Sequence, residues 1–402
     1  MVVVLKKILI LGGSYIQIPA IKMAKRMGYY VITCDFKQNN PGHKIANEYY
    51  NVSFTDKEAV LALAKELEID AVIAYTSEHA TSTAAYVAEK LGLPTNPYKS
   101  IDLLSNKDKY RSFLAENGFN VPRARGYQSV EDALSEFHEF TLPVIVKPVD
   151  SSGSRGISKL DSVEQLPIKA EYALSFSMAK RFIIEEYIEQ SGYMIVGDGF
   201  FVDGNLIFSS FANGHLNNKL INPFVPTGVS MPCSYSERIK KKIKEEVERV
   251  WGLLDMKTGP VSFDIFVDKN EDVYLNELPA RHDGYLVPQL TEYSTGVNLI
   301  EYTIKAAFGE DCSGITMHEA EGYWASYMVH SNKAGILAGV KIEDEIKNNL
   351  SEFHWLVNIG DEISPFTGTD KALGIMVLNF KNRGEMEYKM NNMAKFLEVI
   401  IE

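Results

Sequence analysis

The chain opens with an apolar run, Ile8-Leu-Ile-Leu11, that stops at Gly12-Gly13. Apolar residues then recur at helical spacing (Ile18, Ile21, Met23, Ala24, Met27) up to Gly28, and a second run, Tyr30-Val-Ile-Thr-Cys34, ends at Asp35. Two short apolar runs separated by a segment of 3.6-residue period form the pattern of a βαβ unit. The alternation repeats with a helix over Lys57–Leu67, a strand Ala71–Ala74, and a helix over Ala80–Leu91 stopped by Gly92 and Pro94. Repeated units of this kind predict a parallel sheet covered by helices. Ligands of such sheets lie at the carboxyl ends of the strands, here the loops Gly12–Gln17 and Thr76–His79.

Beyond Pro97 the pattern changes. A Lys-rich helix (Lys107–Asn117), a strand (Leu142–Lys147) and a strand Phe182-Ile-Ile184 ending in Glu185-Glu186 predict a small α+β unit. Alternating segments follow at Tyr193–Val202, Leu206–Ala212, Val261–Asp268 and Val273–Leu278, with one charged amphipathic helix across Ser236–Leu254. They predict a mostly antiparallel sheet. From Glu321, short strands with turn residues at Gly335, Gly339, Gly360, Gly368 and Gly374 precede a helix expected over Glu385–Ile400. The expected division is an N-terminal parallel α/β domain (1–105), a small α+β lid (106–188), a larger mostly antiparallel part (189–315) and a β-rich C-terminal part (316–402).

Length agrees with several packed units, because 402 residues exceed the roughly 250–300 at which one core stops growing. With 41 Lys+Arg against 53 Asp+Glu the formal charge is −12, which disfavours a nucleic-acid partner but allows a small anion in a local basic pocket. Cys34, Cys233 and Cys312 are odd in number and far apart, so neither a disulfide framework nor a zinc site is suggested. No apolar run approaches the roughly 18–20 residues that span a bilayer. These features predict a soluble, cytoplasmic protein with no membrane partner.

The chemistry-bearing residues lie mostly past residue 100. A dinucleotide fingerprint would need glycine at 12, 14 and 17, but the chain has Gly12, Ser14 and Gln17; a Walker P-loop is absent as well. Asp35 alone could mimic the ribose-binding acid of a nicotinamide enzyme. The sharpest local signal is Lys147 at a strand end followed by Ser151-Ser152-Gly153-Ser154-Arg155-Gly156, a loop whose N–H groups could cradle phosphate beside the lysine, or a plain hairpin connection. Val261–Asp268 and Val273–Leu278 read as a hairpin; if Asp268 faces Val273, Asp264 and Glu277 sit directly opposite on one face. Facing carboxylates need a cation between them, which Mg²⁺ would supply, or they form a solvated face with a mutually raised pKa. Arg281, four residues on, offers a planar fork for a carboxylate or a phosphorylated intermediate.

In this order the parts resemble the ATP-grasp enzymes, from about Lys7 to Gly309. The resemblance implies a parallel N-terminal domain, a lid and a larger antiparallel domain, with ATP and Mg²⁺ (or Mn²⁺) as cofactors. It implies that Lys107 and Lys147 are the nucleotide lysines and that Ser151–Gly156 is the phosphate lid. Glu185, Glu186, Tyr187 and Ile188 would hold adenine, Asp264 and Glu277 the metal, and Arg281 would be the arginine that follows. There are departures: Asp264 stands where Glu is usual, Pro279 where E-x-N-x-R has Asn, and Gly192-Tyr193 where an acid often binds ribose, leaving Glu189 as the substitute.

The implied activity is an ATP-dependent ligase in which a carboxylate becomes an acyl phosphate that an amine displaces. Arg281 would hold the acyl phosphate, with Lys147 neutralising the migrating phosphoryl. Substrate candidates are His282, Asp283 and Gly284 beside the metal, His215, and the loops Ser14–Gln17 and Thr76–His79. Asn276-Glu277-Leu-Pro-Ala-Arg281 is similar to the metal segment of carboxyaminoimidazole ribonucleotide synthetases, whereas the region past Tyr323 looks more like L-amino-acid ligases and biotin-carboxylase-like relatives. This favours an amino acid or similar small carboxylate joined to an amine, in a chain for which a homodimer is compatible with the family. A purine-biosynthetic or carbamoyl-phosphate-type carboxylating enzyme, a nicotinamide oxidoreductase and a non-catalytic ATP-binding protein stay open.

Overall fold

The computed structural model describes residues 5–402. The first unit is β1 (Lys7–Leu11), α1 (Ile18–Arg26), β2 (Tyr30–Cys34), β3 (Glu48–Tyr50), α2 (Lys57–Leu67), β4 (Ala71–Ile73) and α3 (Glu78–Leu91). Its strands form a parallel sheet in the order β3-β2-β1-β4. β1 is buried on both faces, which explains why it reads as a continuous apolar run. Local chemistry sets the helix ends: the Asp56 carboxylate accepts from Ala59 N at 3.1 Å to start α2, and Gly92, left-handed at φ +68°, ends α3.

Two helices, α4 (Tyr98–Leu104) and α5 (Lys107–Glu116), lead into a second sheet. It holds β5 (Ala124–Tyr127), β6 (Val144–Pro148), β7 (Ser158–Leu160) and β8 (Phe182–Glu186) in the order β5-β8-β6-β7, with α6 (Val130–Glu136) and α7 (Leu166–Ser175) packed on one side.

The third sheet has eight strands, in the order β13-β12-β9-β10-β11-β14-β18-β16. The members are β9 (Met194–Val202), β10 (Asn205–His215), β11 (Gly228–Met231), β12 (Gly259–Val267), β13 (Val273–Glu277), β14 (Tyr323–Val329), β16 (Leu350–Trp355) and β18 (Gly374–Phe380). All its pairs are antiparallel. Against one face lies α8 (Glu237–Leu253), whose buried Ile239, Ile243, Val247, Val250 and Trp251 trace one helical stripe; Trp251 stacks on Phe201 at 4.4 Å. α9 (Val287–Thr295) and α10 (Leu299–Ala307) follow, and α10 packs Ile300 and Ile304 against the parallel sheet. Of the strands beyond residue 316, β14, β16 and β18 thus continue the same sheet as β9–β13.

A small sheet, β17-β15-β19, joins β15 (Gly335–Ile342), β17 (Glu362–Ile363) and β19 (Leu397–Ile401); α11 (Asp344–Lys347) and α12 (Arg383–Asn391) complete the chain. Here one expectation fails. The helix expected over Glu385–Ile400 stops at Asn391, and Leu397–Ile401 pairs antiparallel with β15. The β-branched run Val399-Ile-Ile401 gains more from a strand partner than from a further helical turn.

The acidic hairpin differs from expectation twice, and the two differences cancel. Val267, rather than Asp268, faces Val273, because Glu271 is left-handed and Asp268 N donates to Asp272 O at 3.1 Å, a tighter turn than expected. A bulge between Asp264 and Ile265 then restores the register, so Asp264 does face Glu277. Among the described residues no helix is long and apolar enough to cross a membrane.

Candidate active site

A cavity of about 1750 Å³ lies where the three main sheets meet. Its charged centre is assembled from four elements. Lys107 begins α5 and Arg111 follows one turn later on the same face; Lys147 ends β6; Glu185 ends β8; Asp264, Asn276 and Glu277 come from the acidic hairpin. Register explains part of this, because Ile145 faces Glu185 across β6 and β8, leaving Lys147 diagonally within reach.

Three buried cations share two of the carboxylates. Lys107 Nζ lies 3.2 Å from Glu277 Oε1 and donates to Ser151 O at 2.7 Å. Lys147 Nζ is 2.8 Å from Glu185 Oε2, whose other oxygen is 3.0 Å from Arg111 Nε. Arg111 also donates to Asn276 O (2.8 Å) and Asn276 Oδ1 (2.7 Å), fixing the second hairpin strand. Burial pushes Glu185 and Glu277 upward, but the surrounding cations outweigh it and hold both carboxyls below their ordinary range. Burial lowers Lys147 despite Glu185 beside it. Asp264 is the exception: burial, and then the charge of Glu277, raise it, and its Oδ1 is buried with no hydrogen-bond partner.

That orphaned oxygen opposite a second carboxylate suits a hard divalent cation. Lys107, Arg111 and Lys147 are already engaged by Glu185 and Glu277, so an incoming polyphosphate would bring negative charge that they only partly offset. A metal held by Asp264 and Glu277 would offset it.

The loop Ser151–Gly156 closes over this centre. Gly153, at φ +67°, approaches Thr369 so closely that a Cβ would lie 2.5 Å from Thr369 Oγ1, so no larger residue fits there without a shift. Ser154 donates through Oγ to Phe224 O at 2.8 Å, and Asn222 Nδ2 donates to Ser154 O and Thr367 O. Arg155 Nη2 reaches His79 Nε2 at 3.0 Å. Ser151, Ser152, Gly153 and Ser154 line the cavity, as do Glu186, Tyr187 and Ile188; exposed Glu189 does not, whereas Gln190 does.

Arg281 stands across the cavity, one step past the hairpin. Its Nε and Nη2 donate to Glu78 Oε2 at 3.0 and 2.8 Å, and Nη1 donates to Ser262 Oγ and His282 O. Four of its five N–H groups are engaged, leaving one on Nη2. Asp283 and Gly284 line the cavity beside it; burial pushes the Asp283 carboxyl up to about 7.

The two histidines are placed differently. His282 is outside the lining and fully buried, with Nε2 2.6 Å from Thr303 Oγ1 and Nδ1 3.5 Å from Asp198. This corrects its expected place beside the substrate, because the backbone turn that presents Asp283 sends the preceding side chain inward. His215 does line the cavity, with its ring held by Ser230 and Asn391; burial lowers it to about 4.

Sequence reasoning missed Arg111, although its spacing of four from Lys107 was a usable signal, and left Glu78 as one member of a loop. At the N-terminal sheet, Asp35 accepts from Asn40 Nδ2 (2.7 Å) and Lys37 N (3.2 Å), and the space over Gly13 is filled by His43. Gly12-Gly13 and Asp35 therefore serve local packing.

Comparison with known proteins adds three findings. The family described as "D-ala D-ala ligase C-terminus" matches residues 113–301. A formate-dependent phosphoribosylglycinamide formyltransferase from Prochlorococcus marinus (strain NATL1A) is 24% identical over 412 residues, covering 99% of each chain. Among solved structures, an L-amino acid ligase from Bacillus licheniformis superposes with a TM-score of 0.80 (21% identity, 99% of each chain). An N5-carboxyaminoimidazole synthetase from Staphylococcus aureus complexed with ADP superposes with a TM-score of 0.76 (16% identity, 96% of each chain).

Proposed function

We propose that the chain is a member of the ATP-grasp superfamily, a reading supported by the match of residues 113–301 to the D-ala D-ala ligase C-terminus family, and that it is an ATP-dependent carboxylate–amine ligase that activates an amino acid or similar small carboxylate as an acyl phosphate. The observation that carries this reading is the convergence of Lys107, Arg111 and Lys147 on Glu185 and Glu277, with Asp264 unpaired opposite Glu277 beneath a glycine-bearing loop.

In this reaction a carboxylate oxygen bonds to the γ-phosphorus of ATP as the β–γ bridging P–O bond breaks, releasing ADP. The amine then bonds to the acyl carbon, phosphate departs with the C–O bond, and the nitrogen loses a proton. Lys107 and Lys147 neutralise phosphate charge, the N–H groups of Ser151–Gly156 cover the phosphates, and Glu185–Ile188 face the base. Asp264 and Glu277 would hold Mg²⁺, which supplies positive charge to the phosphates. Arg281, held by Glu78, would turn its free N–H toward the activated carboxyl, and Asp283, which lines the cavity beside it, would take an ammonium group. The loop latched by Asn222 and Thr369 keeps water from the acyl phosphate. We place this chemistry in the cytoplasm, on diffusing substrates.

Phosphate release from Mg-ATP tests the reading, across a panel of amino acids and small carboxylates with and without amines. Hydroxylamine traps the acyl phosphate, and Lys147→Ala is the control. Release that needs one carboxylate, yields a hydroxamate and vanishes in the control is the expected result. A second reading is supported by the full-length likeness to formate-dependent phosphoribosylglycinamide formyltransferases. Formate is itself a small carboxylate and the glycinamide ribonucleotide an amine, so the panel includes that pair. Turnover with it alone would replace the amino acid reading. If Mg-ATP at about 100 times its dissociation constant fails to stabilise the fold by roughly 2.7 kcal/mol, both readings fail.

A further inference from the structure

Tyr285 follows the turn that carries Arg281 and Asp283, and its backbone is unusual. Tyr285 (φ +55°) and Leu286 (φ +63°) are consecutive left-handed residues, neither of them glycine. Bulky side chains avoid this region, and such outliers persist only where the surroundings over-determine them, most often at functional sites. Here the surroundings do so. Leu286 is buried in the core formed with Val196, Val229 and Leu290, while Tyr285 bridges that core and a second cluster of Leu220, Met328, Phe366 and Ala372. Gly284, one residue earlier, would accept such a conformation freely, yet the chain places a tyrosine in it.

The strained turn sets the Tyr285 side chain in the cavity wall, which Thr369, of the turn that touches Gly153, also lines. From there the wall continues through Leu220, Met328, Leu356, Val357 and Ala372. Leu220, Met328 and Ala372 belong to one apolar cluster against which Tyr285 and Leu356 pack, so this part of the wall is mainly apolar. An apolar side group seated there would find matching surface.

We propose, resting on the ligase reading above, that Tyr285 is a specificity-determining residue: its ring bounds an apolar compartment beside Arg281 and Asp283 that receives an apolar side group of the activated carboxylate. The left-handed turn fixes the ring, and the size of the ring sets the depth of the compartment.

The test uses the full-length protein with Mg-ATP and glycine, L-alanine, L-leucine, L-phenylalanine and O-phospho-L-serine, reading phosphate release and the thermal shift each acid adds. In the parent, L-leucine is expected to exceed O-phospho-L-serine by at least about 100-fold in kcat/KM. Tyr285→Ala should raise the phenylalanine-to-leucine ratio about tenfold or more, the scale on which an apolar pocket discriminates by size, while Tyr285→Phe leaves it within about twofold. If Tyr285→Ala does not fold, Leu356→Phe, elsewhere in the wall of the compartment, should lower the same ratio. An unchanged ratio in the alanine variant, or a preference for O-phospho-L-serine, overturns the proposal. If no acid drives turnover although Mg-ATP stabilises the fold, the thermal-shift ranking decides instead: a ranking that favours apolar acids and moves with Tyr285→Ala supports the role, and a flat one removes it. Absence of any Mg-ATP stabilisation instead sinks the ligase reading.

Discussion

The ion pair between Glu78 and Arg281 joins the N-terminal sheet to the acidic hairpin, and its strength can be worked from the structure. Both groups are nearly buried, with side-chain exposures of 10% and 13% and an Nη2 to Oε2 distance of 2.8 Å. Unit charges at about 4 Å attract by about 4 kcal/mol at an effective dielectric of ~20. Removing one partner of a buried pair usually costs about 3–5 kcal/mol, because the other charge is left unmatched. Glu78→Ala should therefore lower unfolding free energy by about 3–5 kcal/mol. Glu78→Gln, whose amide oxygen can still accept, should lose only about 1.5–3 kcal/mol. Urea denaturation followed by tryptophan fluorescence measures both. Combined with Arg281→Met in a double-mutant cycle, it should return a coupling of about 3 kcal/mol. A coupling below about 1 kcal/mol, the range of exposed pairs, would refute the claim that this contact fixes the arginine. Turnover adds a second reading of the same variants, since a mobile Arg281 should lower kcat more than it raises KM for ATP.

Asp264→Asn together with Glu277→Gln should cut Mg²⁺-dependent phosphate release by at least about 100-fold, the scale lost with a group that stabilises transition-state charge; full activity would remove the metal assignment. His215 bears on acid stability. Its pKa is about 4 in the fold, by burial, against roughly 6.5 unfolded, so the unfolded chain binds the extra proton between those values. Its contribution is whole above pH 6.5 and falls as pH drops toward 4, by on the order of 3 kcal/mol in total. His215→Gln should flatten this part of a pH titration of thermal stability, and an unchanged slope would refute it. Gly153→Ala meets Thr369 and a left-handed backbone. It should raise the KM for ATP about tenfold, equivalent to the roughly 1–2 kcal/mol of strain, with little change in thermal midpoint, whereas Thr369→Ala in the same chain should recover part of the loss.

Local pattern carried much of this protein. The period switch from 2 to 3.6 gave the parallel unit and the helix α8, and the order of Lys107, Lys147, Glu185, Asp264, Glu277 and Arg281 was enough to suggest the ATP-grasp layout. These features are legible because they depend on residues near one another in sequence or on a fixed order of motifs. Other features depended on partners that the sequence does not pair. The last strand formed because β15 was there to bind it, and Asp264 faces Glu277 through a bulge that compensates a tighter turn. Glu78 reaches Arg281 across 203 positions, Arg111 holds Asn276 across 165, and Tyr285 packs against Leu220, Met328 and Ala372 only after distant parts of the chain have come together. Hydrophobic period is a property of a segment, whereas charge matching, register shifts and side-chain direction in a cavity are properties of the packed whole, where burial makes each unpaired group costly enough to choose its partner.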